Sequence, residues 1–242
     1  MTTGRMHSWD LSTGVDGPGT RFVLFLSGCP LRCRYCANPD TWQLRDGRPV
    51  TADEVVARIA RYRRFTGLAG GGVTLTGGEP LLQPAFTAEV LHRCKELGLH
   101  TALDTSGALG ARAGDALLAD TDLVLLDIKS FSPGRYRELT GGRLAPTLDF
   151  ATRLNCLGVP VWIRYVLVPG WTDDPAEIDR LAGFLTGLPN VERVDVLPFH
   201  KLGAHKYDAL GIPFPLKDVP VPGPDLVERV REQFRGRGLR TA

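Results

Sequence analysis

Apolar residues in this chain come in short runs, and the stretches between them carry a helical rhythm. The runs are Arg21–Ser27 (RFVLFLS), Gly72–Thr76 (GVTLT), His100–Thr105 (HTALDT), Asp122–Lys129 (DLVLLDIK), Val161–Val168 (VWIRYVLV) and Arg193–Phe199 (RVDVLPF). Their near-continuous apolar character predicts strands buried on both faces, as in a parallel sheet. Helices are predicted over Thr51–Phe65, Pro84–Leu97, Pro133–Leu139, Thr147–Leu157, Pro175–Leu185 and Asp225–Phe234. Thr51 and Glu54 stand at capping-box spacing, and Gly98 follows the second helix where a left-handed residue belongs. Six strands interleaved with helices make an α/β chain of repeating βα units. Six units fall short of the eight that close a barrel. An incomplete (β/α)6 barrel, open at the side, is the favoured architecture, and a doubly wound sheet is the alternative. Residues 1–242 read as one domain, with 1–20 as an N-terminal arm and the Pro-rich 212–242 as a C-terminal arm and helix.

Polar residues gather where these strands end. Cysteines follow the first, GGE the second and DTS the third; DIK ends the fourth and PFH the sixth. In parallel α/β folds that edge is where sites are built.

Lys and Arg number 29 against 27 for Asp and Glu, a formal charge of +2. Such a balance lacks the basic excess of a nucleic-acid partner. No apolar run approaches the ~20 residues needed to cross a bilayer, and MTTGRMHSWD lacks the pattern of an export signal. The reading is a cytoplasmic chain with no membrane association, whose thiols stay reduced. There, a tight cysteine cluster points to a metal or catalytic site. Cys29, Cys33 and Cys36 form one; Cys94 and Cys156, in helical contexts, read as buried structural thiols.

A structural zinc site wants four protein ligands. The nearest histidine downstream of the three thiols is His92, so a Cys3His zinc site stays open as an alternative. A 4Fe-4S cube also normally takes four thiolates. Three would leave one iron open, as catalytic metal sites are.

The spacing Cys-x3-Cys-x2-Cys after a strand resembles the radical S-adenosylmethionine (SAM) superfamily, and TGGEP at Thr76–Pro80 strengthens the resemblance. In order along the chain, VDGPGTRFVLFLSGCPLRCRYCANPDTW, GGGVTLTGGEP, DTSG, LVLLDIK, VWIRYVLVPGW and LPFHKLGAHKY are similar to the pyruvate formate-lyase activating enzymes. The resemblance implies the partial TIM barrel of radical SAM enzymes. It implies Cys29, Cys33 and Cys36 as ligands of a 4Fe-4S cluster. Tyr35, Ala37, Gly77, Gly78, Glu79, Asp127, Ile128 and Lys129 would line the SAM site, with Lys129 facing the SAM carboxylate. His200 and Arg164 would reach the same pocket; their bland readings are a loop histidine and a buried ion pair. Asp104, Thr105, the Leu125 carbonyl and Asp127 would hold a monovalent cation (K+ or Na+), against a reading of both aspartates as strand-end hydrogen bonders. The family often carries His after the third cysteine, where this chain has Ala37.

The activity implied is reductive cleavage of SAM, followed by abstraction of a glycine Cα hydrogen on a partner protein, pyruvate formate-lyase. The electron would come from flavodoxin or ferredoxin, and the chain would act as a monomer. Asp16–Arg21 (DGPGTR) reads either as a grip on the partner's loop or as a Gly-Pro turn. A radical SAM enzyme of small molecules and a non-catalytic iron–sulfur or zinc module are the competing functions.

Overall fold

The structure is a computed structural model and describes residues 2–242. In chain order the elements are β1 (Thr3–Thr13), β2 (Thr20–Leu26), β3 (Arg48–Thr51), α1 (Ala52–Leu68), β4 (Gly72–Gly77), α2 (Pro84–Glu96), β5 (His100–Thr105), α3 (Asp115–Ala119) and β6 (Leu123–Asp127). Then come α4 (Pro133–Thr140), α5 (Ala145–Cys156), β7 (Val161–Leu167), α6 (Pro175–Thr186), β8 (Val191–Pro198), α7 (Ala204–Ala209) and α8 (Pro224–Gly236). The strand order is β3-β1-β2-β4-β5-β6-β7-β8. It does not close on itself, which bears out the open α/β architecture. The six predicted strands are β2 and β4 to β8, and the six predicted helices are α1, α2, α4, α5, α6 and α8.

Contacts divide the chain into two compact units. The first holds the chain up to Pro30, Thr41–Thr105 and Leu109–Leu125; the second holds Leu31–Asp40, Ser106–Ala108 and Leu126–Ala242.

In the first unit, β2 runs parallel to β4, and β4 to β5. The capping box at Thr51 forms, with the hydroxyl and Glu54 each accepting from the other's backbone N–H. Gly98 takes φ +70° after α2. The first correction is the N-terminal arm, most of which is strand. β1 pairs antiparallel with β2 from Thr13↔Thr20 to Met6↔Leu26, and with β3 from Thr3↔Thr51 to Met6↔Arg48. Trp9 stacks on Phe22 at 5.1 Å, and Tyr62 packs against both. Asp16–Arg21 spans the turn from β1 into β2, at the end of β2 opposite Cys29. Arg21 is fully buried there, yet satisfied. Its guanidinium donates to Thr74 Oγ1 at 2.5 Å, Pro18 O at 3.3 Å and the Val73 carbonyl. Burial pulls its pKa down to about 10, with Asp16 and Asp122 working the other way.

In the second unit, β7 and β8 are parallel. β7 departs from the expectation of burial on both faces: Val161, Ile163, Tyr165 and Leu167 are buried, while Trp162, Arg164 and Val166 are half-buried. The Tyr165 hydroxyl donates to Thr172 O at 2.6 Å, and its ring meets Phe234 of α8 edge-on. The segment before α8 is seated too, with Leu216 buried and Phe214 against Phe199 and Tyr207. Of the two isolated cysteines, Cys94 is buried as expected. Cys156 is exposed, because the last turn of α5 faces solvent there. No helix among the described residues is long and apolar enough to cross a membrane.

Candidate active site

The first unit contributes the exits of β2, β4 and β5. Gly28, at φ +94°, turns the chain away from β2 toward Cys29. The turn is tied at both strands: Gly28 N–H donates to Thr41 O at 2.7 Å, Cys29 N–H to Trp42 O at 3.1 Å, and Glu79 N–H to Gly28 O at 2.8 Å. Gly77 and Gly78 are required by this packing. A Cβ on Gly77 would lie 2.3 Å from Leu26 N, and one on Gly78 would lie 2.3 Å from the Gly28 carbonyl. Both contacts are to backbone, which cannot swing aside, and Gly77 also sits at φ +114°.

Glu79 is fully buried. Its Oε1 accepts from Leu81 N–H at 3.1 Å and from the Thr105 hydroxyl at 2.7 Å, so the carboxylate faces inward and pins the turn after β4 to the end of β5. The neighbouring Asp104 accepts from the Thr76 hydroxyl at 2.6 Å. In the sequence, Thr76 stands out only as the first residue of the TGGEP stretch. The register that pairs Leu75 with Leu103 brings it opposite Asp104 one residue later. Leu125, the remaining candidate cation ligand of this unit, is buried in β6.

The second unit holds Cys33, Tyr35, Cys36 and Ala37, and a scaffold fixes their loop through its backbone. Arg32 N–H donates to Thr140 O at 2.8 Å and Arg34 N–H to Leu139 O at 2.9 Å, so the loop is laid along the last turn of α4. Arg34 and Arg135 both stack on Trp171. From the other side, the Tyr207 hydroxyl donates to Cys36 O at 3.1 Å. Lys206 Nζ donates to Asn38 Oδ1 at 2.8 Å and pairs with Asp40 at 3.1 Å. Gly203 lets α7 close on the loop, since a Cβ there would lie 2.6 Å from the Ala37 carbonyl. Trp171, Gly203, Lys206 and Tyr207 were not singled out from the sequence. Their partners lie far away along the chain, which no local pattern reveals.

Cys33 is buried and Cys36 half-buried. Burial pushes the Cys33 thiol up to about 12, with Lys129 opposing, so the free thiol keeps its proton at neutral pH. Tyr35 is buried as well, and its hydroxyl has no hydrogen-bond partner among the described residues. Lys129 lies over the Tyr35 ring, 5.5 Å from its centre, and bonds Asp127 Oδ2 at 3.0 Å. Burial opposes the Lys129 charge, but Asp127 foremost outweighs it and holds the pKa well above that of an ordinary lysine. Burial keeps the Tyr35 phenol and the Cys33 thiol protonated at neutral pH. Ile128 is fully buried between Asp127 and Lys129. Arg164 stands on the half-buried face of β7, in register with Asp195 of β8. His200 is exposed beyond the end of β8, and its Nδ1 accepts from Leu202 N–H at 3.4 Å.

Among the described residues no three His, Cys, Asp or Glu side chains gather as the donor set of a single metal ion. A four-iron cluster makes a different demand, since its thiolates bind separate irons.

Residues 23–182 match the Radical SAM superfamily. The chain belongs to that superfamily. Among curated radical SAM relatives, the pyruvate formate-lyase-activating enzyme of Listeria monocytogenes serovar 1/2a is 44% identical over 230 residues, covering 93% of each chain. That of Staphylococcus aureus strain USA300 is 44% identical over 235 residues, 94% of each. Among solved structures, a domain of pyruvate-formate lyase-activating enzyme from Bacteroides vulgatus aligns with a TM-score of 0.60 at 27% identity, over 71% of this chain and 98% of that one. SuiB of Streptococcus suis, bound to its precursor peptide SuiA, aligns with a TM-score of 0.70 at 17% identity, over 91% of this chain and 47% of that one, a likeness of fold.

Radical SAM proteins use a 4Fe-4S cluster and SAM, and the residues present fit both. The radical SAM loop offers three soft sulfur donors, of which Cys33 would release its proton on metal binding. The buried Tyr35 hydroxyl and the Lys129 ammonium are donors suited to a polar, carboxylate-bearing ligand.

Proposed function

We propose that this chain is the activase of pyruvate formate-lyase, which removes one Cα hydrogen from a glycine of that enzyme and leaves a glycyl radical. The reading is carried by 44% identity, over 93% of both chains, to enzymes of that name. The cluster, when bound, would supply the single electron for reductive cleavage of SAM, the source of the radical that would take the hydrogen. The chain's own residues hold and orient. Cys29, Cys33 and Cys36 would hold the cluster, three thiolates where a closed cube takes four. Lys129, its charge kept by Asp127, receives the SAM carboxylate as a point-charge partner. Gly77 and Gly78 offer carbonyls to the SAM ammonium, and Glu79 serves by fixing that turn. Tyr35, Ala37, Ile128, Arg164 and His200 complete the pocket. Asp104, Thr105, the Leu125 carbonyl and Asp127, all oxygen donors, suit a hard monovalent cation such as K+ or Na+. Glycine is the fitting target because no side chain shields its Cα. The proposal includes a flavodoxin or ferredoxin as electron source, a monomeric enzyme and a cytoplasmic location.

The test is anaerobic reconstitution with iron and sulfide, then incubation with SAM, reductant and pyruvate formate-lyase. A glycyl doublet in the EPR spectrum, with deoxyadenosine formed alongside, is the expected result. Deoxyadenosine without the doublet would move the substrate to another glycyl-radical enzyme or a small molecule. Zinc in the purified protein and no SAM cleavage would overturn the reading altogether.

A further inference from the structure

A cavity of about 640 Å³ opens in the first unit between α1 and strands β1 to β3. Its floor is apolar and includes Trp9, Phe22 and Leu24; Arg48, Arg58 and Arg61 stand around it. The one carboxylate in the lining is Glu54, which is turned to the Thr51 backbone N–H at 2.8 Å. No carboxylate among the described residues lies within ion-pair distance of the three arginines; Arg58 instead covers the Trp9 ring at 5.3 Å. Glu54 lies near enough to feel the charges of Arg48 and Arg58 but is held by Thr51, so three exposed cations stand over an aromatic floor against one carboxylate, and the site keeps a positive excess. The pattern continues along α1. Residues 58, 61, 65 and 68 fall on one helix face, and there Phe65 is 56% exposed and Leu68 82%. A stripe that begins with arginines and ends with bare apolar side chains has the composition of an interface centre, where Arg and aromatic residues supply most of the binding energy.

The position of the cavity matters as much as its charge. Arg48 follows Gly47, and Gly47 packs so closely on Ser27 that a Cβ would lie 2.6 Å from the Ser27 hydroxyl. Two residues of chain, at most ~7 Å, separate Ser27 from Cys29. The backbone at Arg48, one end of the basic rim, therefore lies close to the base of the first cysteine, within one unit of the molecule.

We propose that this cavity and the α1 stripe form the docking surface for an acidic one-electron carrier protein. This rests on the activase reading, since an enzyme that consumes single electrons needs such a carrier. The carrier's carboxylates face Arg48, Arg58 and Arg61, and an apolar side chain enters the cavity over Trp9. The carrier is oxidised by one electron and the activase is reduced by one; no proton or atom is exchanged.

The test uses the R58E/R61E double variant and a flavodoxin. Both positions are exposed on α1, so the fold is expected to persist. Titration of flavodoxin into the variant is expected to show affinity weakened by at least about tenfold, with the salt dependence of binding reduced. Deoxyadenosine formation driven by reduced flavodoxin should fall in step, while formation driven by dithionite, which needs no docking, stays at the unaltered rate. Unchanged flavodoxin affinity would overturn the proposal. So would an intact flavodoxin-driven rate combined with loss of glycyl radical under dithionite, which would give the stripe to the substrate protein. If the unaltered protein cleaves no SAM with either reductant, the activase reading fails, and the titration still decides the docking surface.

Discussion

Taking an ammonium out of water costs several kcal/mol unless an opposite charge stands close. Lys129 meets that condition with Asp127 at 3.0 Å, and its side chain is only 11% exposed. The pair has two consequences. Lys129 stays charged at any working pH, and its position over Tyr35 is set by a contact inside its own unit. A cation so placed and so little hydrated is ready for a ligand carboxylate. Replacing Lys129 with Ala is expected to weaken SAM binding about tenfold or more, roughly 1.4 kcal/mol, and to leave iron content unchanged. Iron analysis and SAM titration on the same reconstituted sample decide it. Iron lost with SAM affinity intact would mean that Lys129 holds the cysteine loop and has no part in binding SAM. The sequence supplied Lys129 through a three-residue resemblance, DIK, at a strand end. It could not supply the orphaned Tyr35 hydroxyl or the inward turn of Glu79, because both depend on which way a side chain points in the folded chain.

The elements around the cysteine loop act through backbone. Between Leu31 and Asp40 the loop has no helix or strand longer than a turn to hold it. Its order comes from the end of α4 on one side and from α7 on the other. Gly203 makes a close approach to the loop backbone, at 2.6 Å from a would-be Cβ to the Ala37 carbonyl. A Val at position 203 must displace the loop, at a cost of about 1–3 kcal/mol if the overpacking is typical. The Gly203→Val protein is expected to keep its far-UV circular dichroism and to lose iron to a chelator faster than the unaltered protein. Equal rates of loss would show that α7 merely neighbours the loop. The cysteines themselves could be read from spacing alone, and so could α1, whose capping box announces itself within four residues. The clamp could not. Lys206 and Tyr207 lie some 170 positions from the residues they hold, and a lysine and a tyrosine on a short helix look like any surface pair.

At the scale of the molecule, the parallel strands were legible because burial writes continuous apolar runs, as in RFVLFLS and DLVLLDIK. The two missed strands explain the limit of that rule. In β1 only Gly4 and Met6 are buried, so TGRMHSWDLST carries neither an unbroken apolar run nor a clean alternation; β3 is four residues long and contains a proline. Their exposure is what made 1–20 look like an arm. The difference can be tested, because an arm and a strand answer truncation in opposite ways. Removing residues 1–13 would take Trp9 off Phe22 and Tyr62, strip β3 of the strand it pairs with, and leave the buried, apolar β2 as a bare edge. Loss of a large aromatic contact alone costs about 3–5 kcal/mol, against a total stability of about 5–15 kcal/mol for a typical domain. An unprotected apolar edge also templates aggregation. The truncated chain is therefore expected to be insoluble or to unfold at a much lower denaturant midpoint. An arm would come away with the midpoint hardly moved, and that result would contradict the place of β1 as the second strand of the sheet.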